Sequence, residues 1–179
     1  MSSDAQALEQ QLAAQCKMLA SRGRASVGRC HPDVQIVRTL PKRRIEGFVV
    51  GVRLDFEGVL APRGRYVVLE AKTSHASPSW PLGDVGDAQA LRMAQLASCG
   101  ALALLYVQRL EGARVLASYL LPVDSAGRIA GLVTHPALVV LSAERKSIRW
   151  ADLEPWRVKA SELWLDAAER LLTQEVGDV

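Results

Sequence analysis

The sequence has few of the residues that build disulfide-bonded or zinc-clustered domains. Its 179 residues include only three cysteines, Cys16, Cys30 and Cys99, an odd number without paired close spacing. That pattern argues against a disulfide framework or a zinc cluster, so we expect reduced thiols. Histidine is equally sparse: His31 and His135 each precede a proline and have no partner at metal-ligand spacing.

Long apolar runs are missing as well. The most apolar segment, residues 101–107, has the length of a strand and is too short to cross a bilayer as a helix. The first residues are polar and include Asp4, which is not the composition of a signal peptide. We therefore expect a cytoplasmic protein, and the hydrophobic fraction of 49% with a charged fraction of 23% is typical of a soluble globular chain.

Acidic residues are nearly absent from one long segment. Residues 17–44 contain eight basic side chains and a single acid, Asp33, so this segment carries +7 and the rest of the chain −4, for a total of +3. Such asymmetry suggests a polyanionic partner, although a solvated basic face gives the same pattern.

The order of the periodic segments predicts one α/β domain. Apolar residues recur at helical spacing over 5–21, 87–99 and 160–174. Segments rich in Val, Leu and aromatic residues predict strands over 34–40, 48–60, 65–73, 101–108 and 115–122, with a polar joint before the first of them. This order predicts a mixed sheet flanked by helices, with a core over about 5–122 and a C-terminal extension and helix over 123–179.

Residues 54–74, LDFEGVLAPRGRYVVLEAKTS, place charged side chains inside two predicted strands. The segment APRG has turn composition, so the strands should form an antiparallel hairpin. Glu70 and Lys72 are two residues apart and leave the same face of one strand, and Asp55 lies on the neighbouring strand. Two carboxylates and an ammonium can then converge on one patch that suits Mg²⁺. The alternative is a solvated hairpin with outward-facing polar residues.

The spacing D-x(14)-E-x-K is that of the PD-(D/E)xK nuclease superfamily, and the segments around it resemble the RecU-type Holliday junction resolvases. LDFEGV is similar to their acid-x-x-Gly element, VLEAKTS to their Glu-Ala-Lys strand and SWPL to their Ser-Phe-Pro-Leu loop. DAQALRMAQL resembles their His-Gln-x-x-His-Met helix, LEQQL their Leu-Glu start, and LLYV with SYLLP their closing strands. The resemblance runs from about residue 8 to residue 122, with a looser tail to residue 156.

The resemblance implies a restriction-endonuclease-like core that cleaves DNA with Mg²⁺, for which Mn²⁺ can substitute. It implies that Asp55 and Glu70 hold the metal together with Glu9 of the first helix. Lys72 would then handle the attacking water or the developing charge. Gln89, one helix step from the site, would hold a carboxylate or a water.

Two features depart from the family pattern and affect DNA binding. Ala88 and Arg92 stand where the family's helix motif has histidines, so no role of those histidines is carried over. The basic element between the first strands, RTLPKRRIEGF, is short, and its remaining cations are Arg38, Lys42, Arg43 and Arg44. We also expect phosphate contacts from Arg53, two residues before Asp55, and from His75, for which an ordinary surface histidine is the alternative.

The resemblance therefore predicts an endonuclease that resolves four-way DNA junctions. Because resolution needs two symmetric nicks, we expect a twofold homodimer. We expect no membrane association, since no apolar run is long enough to span a bilayer as a helix. Two alternatives remain open: another nuclease of the superfamily acting on duplex, flap or single-stranded DNA, and a DNA-binding module that no longer turns over. Glu57, which alternates with Asp55, would be a secondary ligand or a salt-bridge partner.

Overall fold

The structure, a computed structural model, describes residues 3–30, 34–40, 44–49, 52–75, 77–138 and 146–176. In residues 34–40 and 44–49 the description covers the backbone alone. No helix within these ranges is long and apolar enough to cross a membrane.

The helices and strands follow each other in mixed order along the chain. The α-helices are α1 (Ser3–Ser21), α2 (Asp87–Ser98) and α3 (Trp164–Val176). The longer strands are β1 (Ala25–Arg29), β2 (Val34–Leu40), β3 (Arg44–Val49), β4 (Phe56–Leu60), β5 (Arg65–Ser74), β7 (Leu102–Glu111) and β8 (Arg114–Val123). The short strands are β6 (Ser79–Pro81), β9 (Arg128–Ile129), β10 (Val133–Thr134) and β11 (Ser147–Arg149). Short 3₁₀ helices cover Leu82–Asp84, Pro136–Leu138 and Trp150–Trp156.

A seven-stranded mixed sheet forms the centre of the fold. Its strand order is β1-β4-β5-β7-β8-β9-β10. The β5–β7 pair is parallel and the other pairs are antiparallel. Helix α2 lies in the connection between β5 and β7, as a parallel pair requires a crossover of this kind. Two further ribbons pair β2 with β3 and β6 with β11. The sequence-based prediction of a mixed sheet flanked by helices is confirmed.

Alternating side chains on the central strands separate two apolar cores. On β5, Val67 and Leu69 face one core while Val68 faces the other. The first core packs α1 and α3 against the sheet and fully buries Trp164. The second packs α2 through Met93, which is also fully buried. Burying each such side chain stabilises the folded state by about 1.5–3 kcal/mol. Because β5 packs against a core on each face, the positions of its charged residues are fixed as well.

The structure corrects the predicted strand boundaries at the N-terminal half of the sheet. The segment ASVGR, predicted to be a polar joint, is β1 and pairs with β4. Only Ala25 and Val27 of β1 are buried, because it is an edge strand, so its sequence lacks a long apolar alternation. The predicted strand over 48–60 is divided, since β3 ends at Val49 and β4 begins at Phe56. The last helix begins at Trp164 rather than at residue 160.

Candidate functional site

The candidate site forms where β4 and β5 stop running side by side. Phe56 and Leu69 are the last pair in their register, while β5 continues beside β7 for five more residues. Beyond Leu69 a side chain takes the place of the β4 backbone, because Asp55 Oδ2 accepts a hydrogen bond from the Ala71 N–H at 2.8 Å. The Asp55 N–H donates in turn to Glu70 Oε2 at 3.1 Å. These two hydrogen bonds hold the Asp55 and Glu70 side chains next to each other. We call this point, where β4 and β5 diverge after the Phe56–Leu69 pair, the fork.

Three side chains on the second-core face close a hydrogen-bonded triangle. Glu70 Oε1 lies 2.7 Å from Lys72 Nζ and accepts from Gln89 Nε2 at 2.5 Å. Lys72 Nζ also donates to Gln89 Oε1 at 3.0 Å, and the Gly86 N–H donates to the same oxygen at 3.1 Å. Because Gln89 donates from its nitrogen and accepts at its oxygen, its amide orientation is fixed. Helix α2 therefore holds Glu70 and Lys72 in one arrangement.

Glu70 is the most perturbed acid of the site. Only 1% of it is exposed, and burial, followed by the nearby Asp55 carboxylate, raises its pKa from 4.5 to about 7. The Lys72 ammonium acts in the opposite direction and lowers this pKa. The ionised carboxylate is thus incompletely compensated by the protein, which is the state that recruits a further cation.

The donor set at the fork fits a divalent cation with oxygen preference. Asp55 and Glu70 place two carboxylates against each other, with a single ammonium, Lys72, to balance them. Mg²⁺ is normally held by one or two carboxylates and completes its shell with waters and phosphate oxygens. Within the part of the chain that the structure describes, no group of three or more His, Cys, Asp or Glu side chains converges to hold a metal. A metal ion bound here would therefore be held by two carboxylates. The backbone carbonyl of Ala71, the residue after Glu70, would be the nearest further oxygen ligand along the chain.

Glu9 is directed to another partner. It is buried in α1 and forms an ion pair with Arg29, the last residue of β1. The next residue, Cys30, donates its N–H to the Asp55 backbone oxygen at 2.8 Å. Glu9 is thus connected to the fork through the backbone of β1, and the structure does not join its carboxylate to those of Asp55 and Glu70. Its role as a metal ligand stays a prediction.

Two of the predicted DNA-contacting residues, Arg53 and His75, are exposed in the structure. Arg53 Nη1 lies 3.8 Å from Glu57 Oε1 on the strand that follows it, so Glu57 is a salt-bridge partner. His75 is exposed and lies 3.2 Å from Asp4. Lys42 and Arg43 lie outside the described residues, as do the side chains of Arg38 and Arg44. Contacts of these residues with DNA stay predictions.

A cleft of about 720 Å³ lies beside the fork and is absent from the sequence-based predictions. We call it the α2 cleft, because α2 forms one wall and the start of the β4–β5 hairpin forms the other. Its charged and polar lining consists of Arg53, Glu57, Tyr66, Arg92 and Gln95. Strand alternation places Glu57 and Glu70 on the same face of the β4–β5 hairpin, which forms one wall of the cleft. The other wall depends on how α2 packs against the sheet, for which the sequence contains no local signal.

Comparisons with known proteins were made at the level of sequence and of fold. Neither protein-family models nor curated proteins gave a match. Among solved structures, the chain is similar to Hjc, a Holliday junction resolvase from the archaeal hyperthermophile Archaeoglobus fulgidus. The TM-score is 0.46 at 14% sequence identity, over 89% of this chain and 98% of that chain.

Proposed function

We propose that the chain is a divalent-metal-dependent endonuclease that cuts branched DNA, with four-way junctions as its substrate. The observation that carries this proposal is the cluster of Asp55, Glu70, Lys72 and Gln89, in which a nearly inaccessible carboxylate lies 2.7 Å from an ammonium. The residue types and spacing are those of the PD-(D/E)xK nucleases, which the sequence resembles. A solvated hairpin would not bury Glu70 or pair it with α2.

The two carboxylates have the binding role. Asp55 and Glu70 would hold Mg²⁺, or Mn²⁺ in its place, through their oxygens. When bound, such a cation supplies charge neutralisation at the phosphodiester and lowers the pKa of an attacking water. The hydrogen bond from Ala71 to Asp55 and that from Asp55 to Glu70 keep the oxygens at the fork before DNA arrives. This prior organisation lowers the reorganisation that the reaction requires.

Lys72 has the role of orienting water and stabilising charge. An ammonium has three donors, and two of them point to Glu70 and Gln89. The third would donate to the attacking water or to a phosphate oxygen. Gln89 is a positioning residue, because it holds both Glu70 and Lys72 through one amide.

The DNA would be held mainly through its backbone. The +7 segment over residues 17–44 would neutralise phosphates without reading bases. A junction has two strands to cut at symmetric positions, so the enzyme would act as a twofold homodimer. The resemblance to junction resolvases favours a four-way junction over other branched substrates.

Cleavage of matched DNA substrates tests the proposal. A four-way junction, a linear duplex and a flap of equal arm length are end-labelled and incubated with the protein and Mg²⁺. We expect paired, symmetric nicks in the junction and slower cutting of the duplex and the flap. Equal rates on all three would favour another nuclease of the superfamily. If neither Mg²⁺ nor Mn²⁺ supports cutting that Asp55→Asn abolishes, the chain is a DNA-binding module.

A further inference from the structure

The α2 cleft is an open groove with the volume of a small-ligand site and a lining that is about half polar and half apolar. Its volume of about 720 Å³ lies inside the range of pockets that enclose cofactors and nucleotides. Leu54, Val68 and Leu96 contribute apolar lining. Val52 and Leu91, from opposite walls, are 40% and 41% exposed. A flat, weakly solvated group placed between these walls would cover apolar surface that now faces water.

The charged groups of the α2 cleft separate into two kinds. Arg53 and Arg92 are both exposed, one on each wall, and suit a phosphate. Glu57 presents a carboxylate whose Oε2 accepts from the Tyr66 hydroxyl at 2.6 Å. The same carboxylate lies 3.8 Å from Arg53 Nη1 through its Oε1 and accepts a hydrogen bond from the Cys30 thiol. Because each carboxylate oxygen has two acceptor sites, Glu57 retains capacity for a further donor. A carboxylate repels phosphate, so its partner in a DNA-binding cleft is a donor group such as a base amino group.

Tyr66 supports this reading of Glu57. Burial and the Glu57 carboxylate raise the pKa of Tyr66 to about 12, so its hydroxyl stays protonated and donates to Glu57. The hydroxyl fixes the carboxylate while the aromatic ring adds apolar lining to the cleft.

The α2 cleft adjoins the fork on both of its walls. On β5, Val68 lies two residues before Glu70 and faces the same side, a separation of roughly 6.6 Å along the strand. On α2, Arg92 lies one turn after Gln89 and therefore on the same side of the helix. Successive nucleotides of a stacked strand rise about 3.4 Å. A nucleotide next to the cut phosphate is thus within reach of the cleft.

We propose that the α2 cleft binds the nucleotide adjacent to the cut phosphate with its base unstacked, and that Glu57 selects bases that present an amino group. This rests on the proposed nuclease function. The phosphate of this nucleotide pairs with Arg53 and Arg92, and the base lies between the exposed side chains of Val52 and Leu91. Adenine and cytosine offer an amino donor to the carboxylate, whereas thymine offers a carbonyl oxygen and is disfavoured. Extruding a base costs least where its pairing is already disrupted, which links base selection to branched substrates.

A cleavage experiment compares cytosine with thymine, two bases of similar size. After the cut is mapped, junctions are made that differ only in having cytosine or thymine beside the cut phosphate, with the opposite base matched. We expect the wild-type protein to cut the cytosine junction about tenfold faster, the size of one discriminating base contact. Glu57→Gln should reduce this ratio to about two or less while cutting continues. Glu111→Gln, at an exposed acid on β7, is the matched control and should keep the wild-type ratio.

Fluorescence measures unstacking without any cutting. A junction with 2-aminopurine at the same position is titrated with protein in a metal-chelating buffer. We expect a rise in fluorescence on binding, and a smaller rise with Arg92→Ala. An unchanged cytosine-to-thymine ratio in Glu57→Gln, or no fluorescence rise, would overturn the cleft proposal even if junctions are cut. Failure to cut any junction would instead overturn the nuclease function, and 2-aminopurine placed in turn at each position around the branch point would then test the cleft separately.

Discussion

Replacing Glu70 with glutamine should raise the stability of the metal-free protein relative to the wild-type protein as the pH rises toward neutrality. Glu70 is only 1% exposed, and its pKa rises from 4.5 to about 7, chiefly because burial penalises the ionised form. At about 1.4 kcal/mol per pH unit, this rise corresponds to about 3 kcal/mol of folding free energy. The glutamine keeps the size of the side chain and carries no charge to desolvate. Only its oxygen can accept a hydrogen bond, so it cannot serve all three donors, Lys72, Gln89 and the Asp55 N–H, and this loss does not depend on pH.

The sign of the effect follows from which state binds the proton more tightly. The pKa of Glu70 is higher in the folded state, so the contribution of this group is fully present below pH 4.5 and is lost as the pH rises to about 7. The stability difference between Glu70→Gln and the wild-type protein should therefore grow across that window and stay constant above it. A difference of about 3 kcal/mol moves the Tm by roughly 6–12 °C in a chain of this size.

Unfolding measurements from pH 4.5 to pH 8 in the presence of a chelator test this prediction. The matched control is Glu162→Gln, because Arg170 lowers the pKa of Glu162 and its contribution is lost on acidification instead. Because the pKa of Glu162 is lowered from 4.5, its window lies below this pH range, and the Glu162→Gln difference should stay nearly constant from pH 4.5 to pH 8 while the Glu70→Gln difference grows. A Glu70→Gln difference that does not change with pH would refute the reasoning, since it would mean that Glu70 is ionised at no extra cost.

Three further changes test separate parts of the account. Arg29→Ala should lower the free energy of unfolding by about 1–3 kcal/mol, because the buried Glu9 carboxylate loses its partner. Adding Glu9→Gln should recover most of this loss, and no recovery would contradict the pairing of Glu9 with Arg29. Gly58→Ala should cost about 1–3 kcal/mol in denaturant unfolding, since a Cβ there would overlap the β1 backbone; an unchanged value would show that β1 and β4 can move apart. Replacing Arg43 and Arg44 with alanine should flatten the slope of log junction affinity against log salt by about 2; an unchanged slope would show that this basic element does not contact DNA.

The hairpin of the site could be predicted from the sequence because its determinants are local. Strand alternation puts Glu70 and Lys72 on one face, and the turn between β4 and β5 brings Asp55 beside Glu70. The edge strand β1 could not be predicted in this way. Its five residues bury only Ala25 and Val27, and its pairing with β4 depends on contacts distant in sequence.

The contacts made by helices could be predicted only in part. The resemblance led to Gln89, but its bonds to Glu70 and Lys72 depend on the packing of α2 against the sheet. The resemblance also led to Glu9 as a metal ligand, yet a sequence resemblance cannot reveal a competing cation on another strand. Arg29 is that cation. The α2 cleft was missed for the same reason, because its two walls come from segments that meet only in the folded chain.

The rate at which a four-way junction is cut, with and without the Lys72 ammonium, tests the central claim most directly. Wild-type protein, Lys72→Ala and the control Lys159→Ala, at an exposed position, are compared at saturating Mg²⁺ on one labelled junction. The account predicts that Lys72→Ala slows cutting by about 100-fold or more while junction binding persists, and that Lys159→Ala cuts at the wild-type rate. Equal cutting by wild-type protein and Lys72→Ala would contradict it.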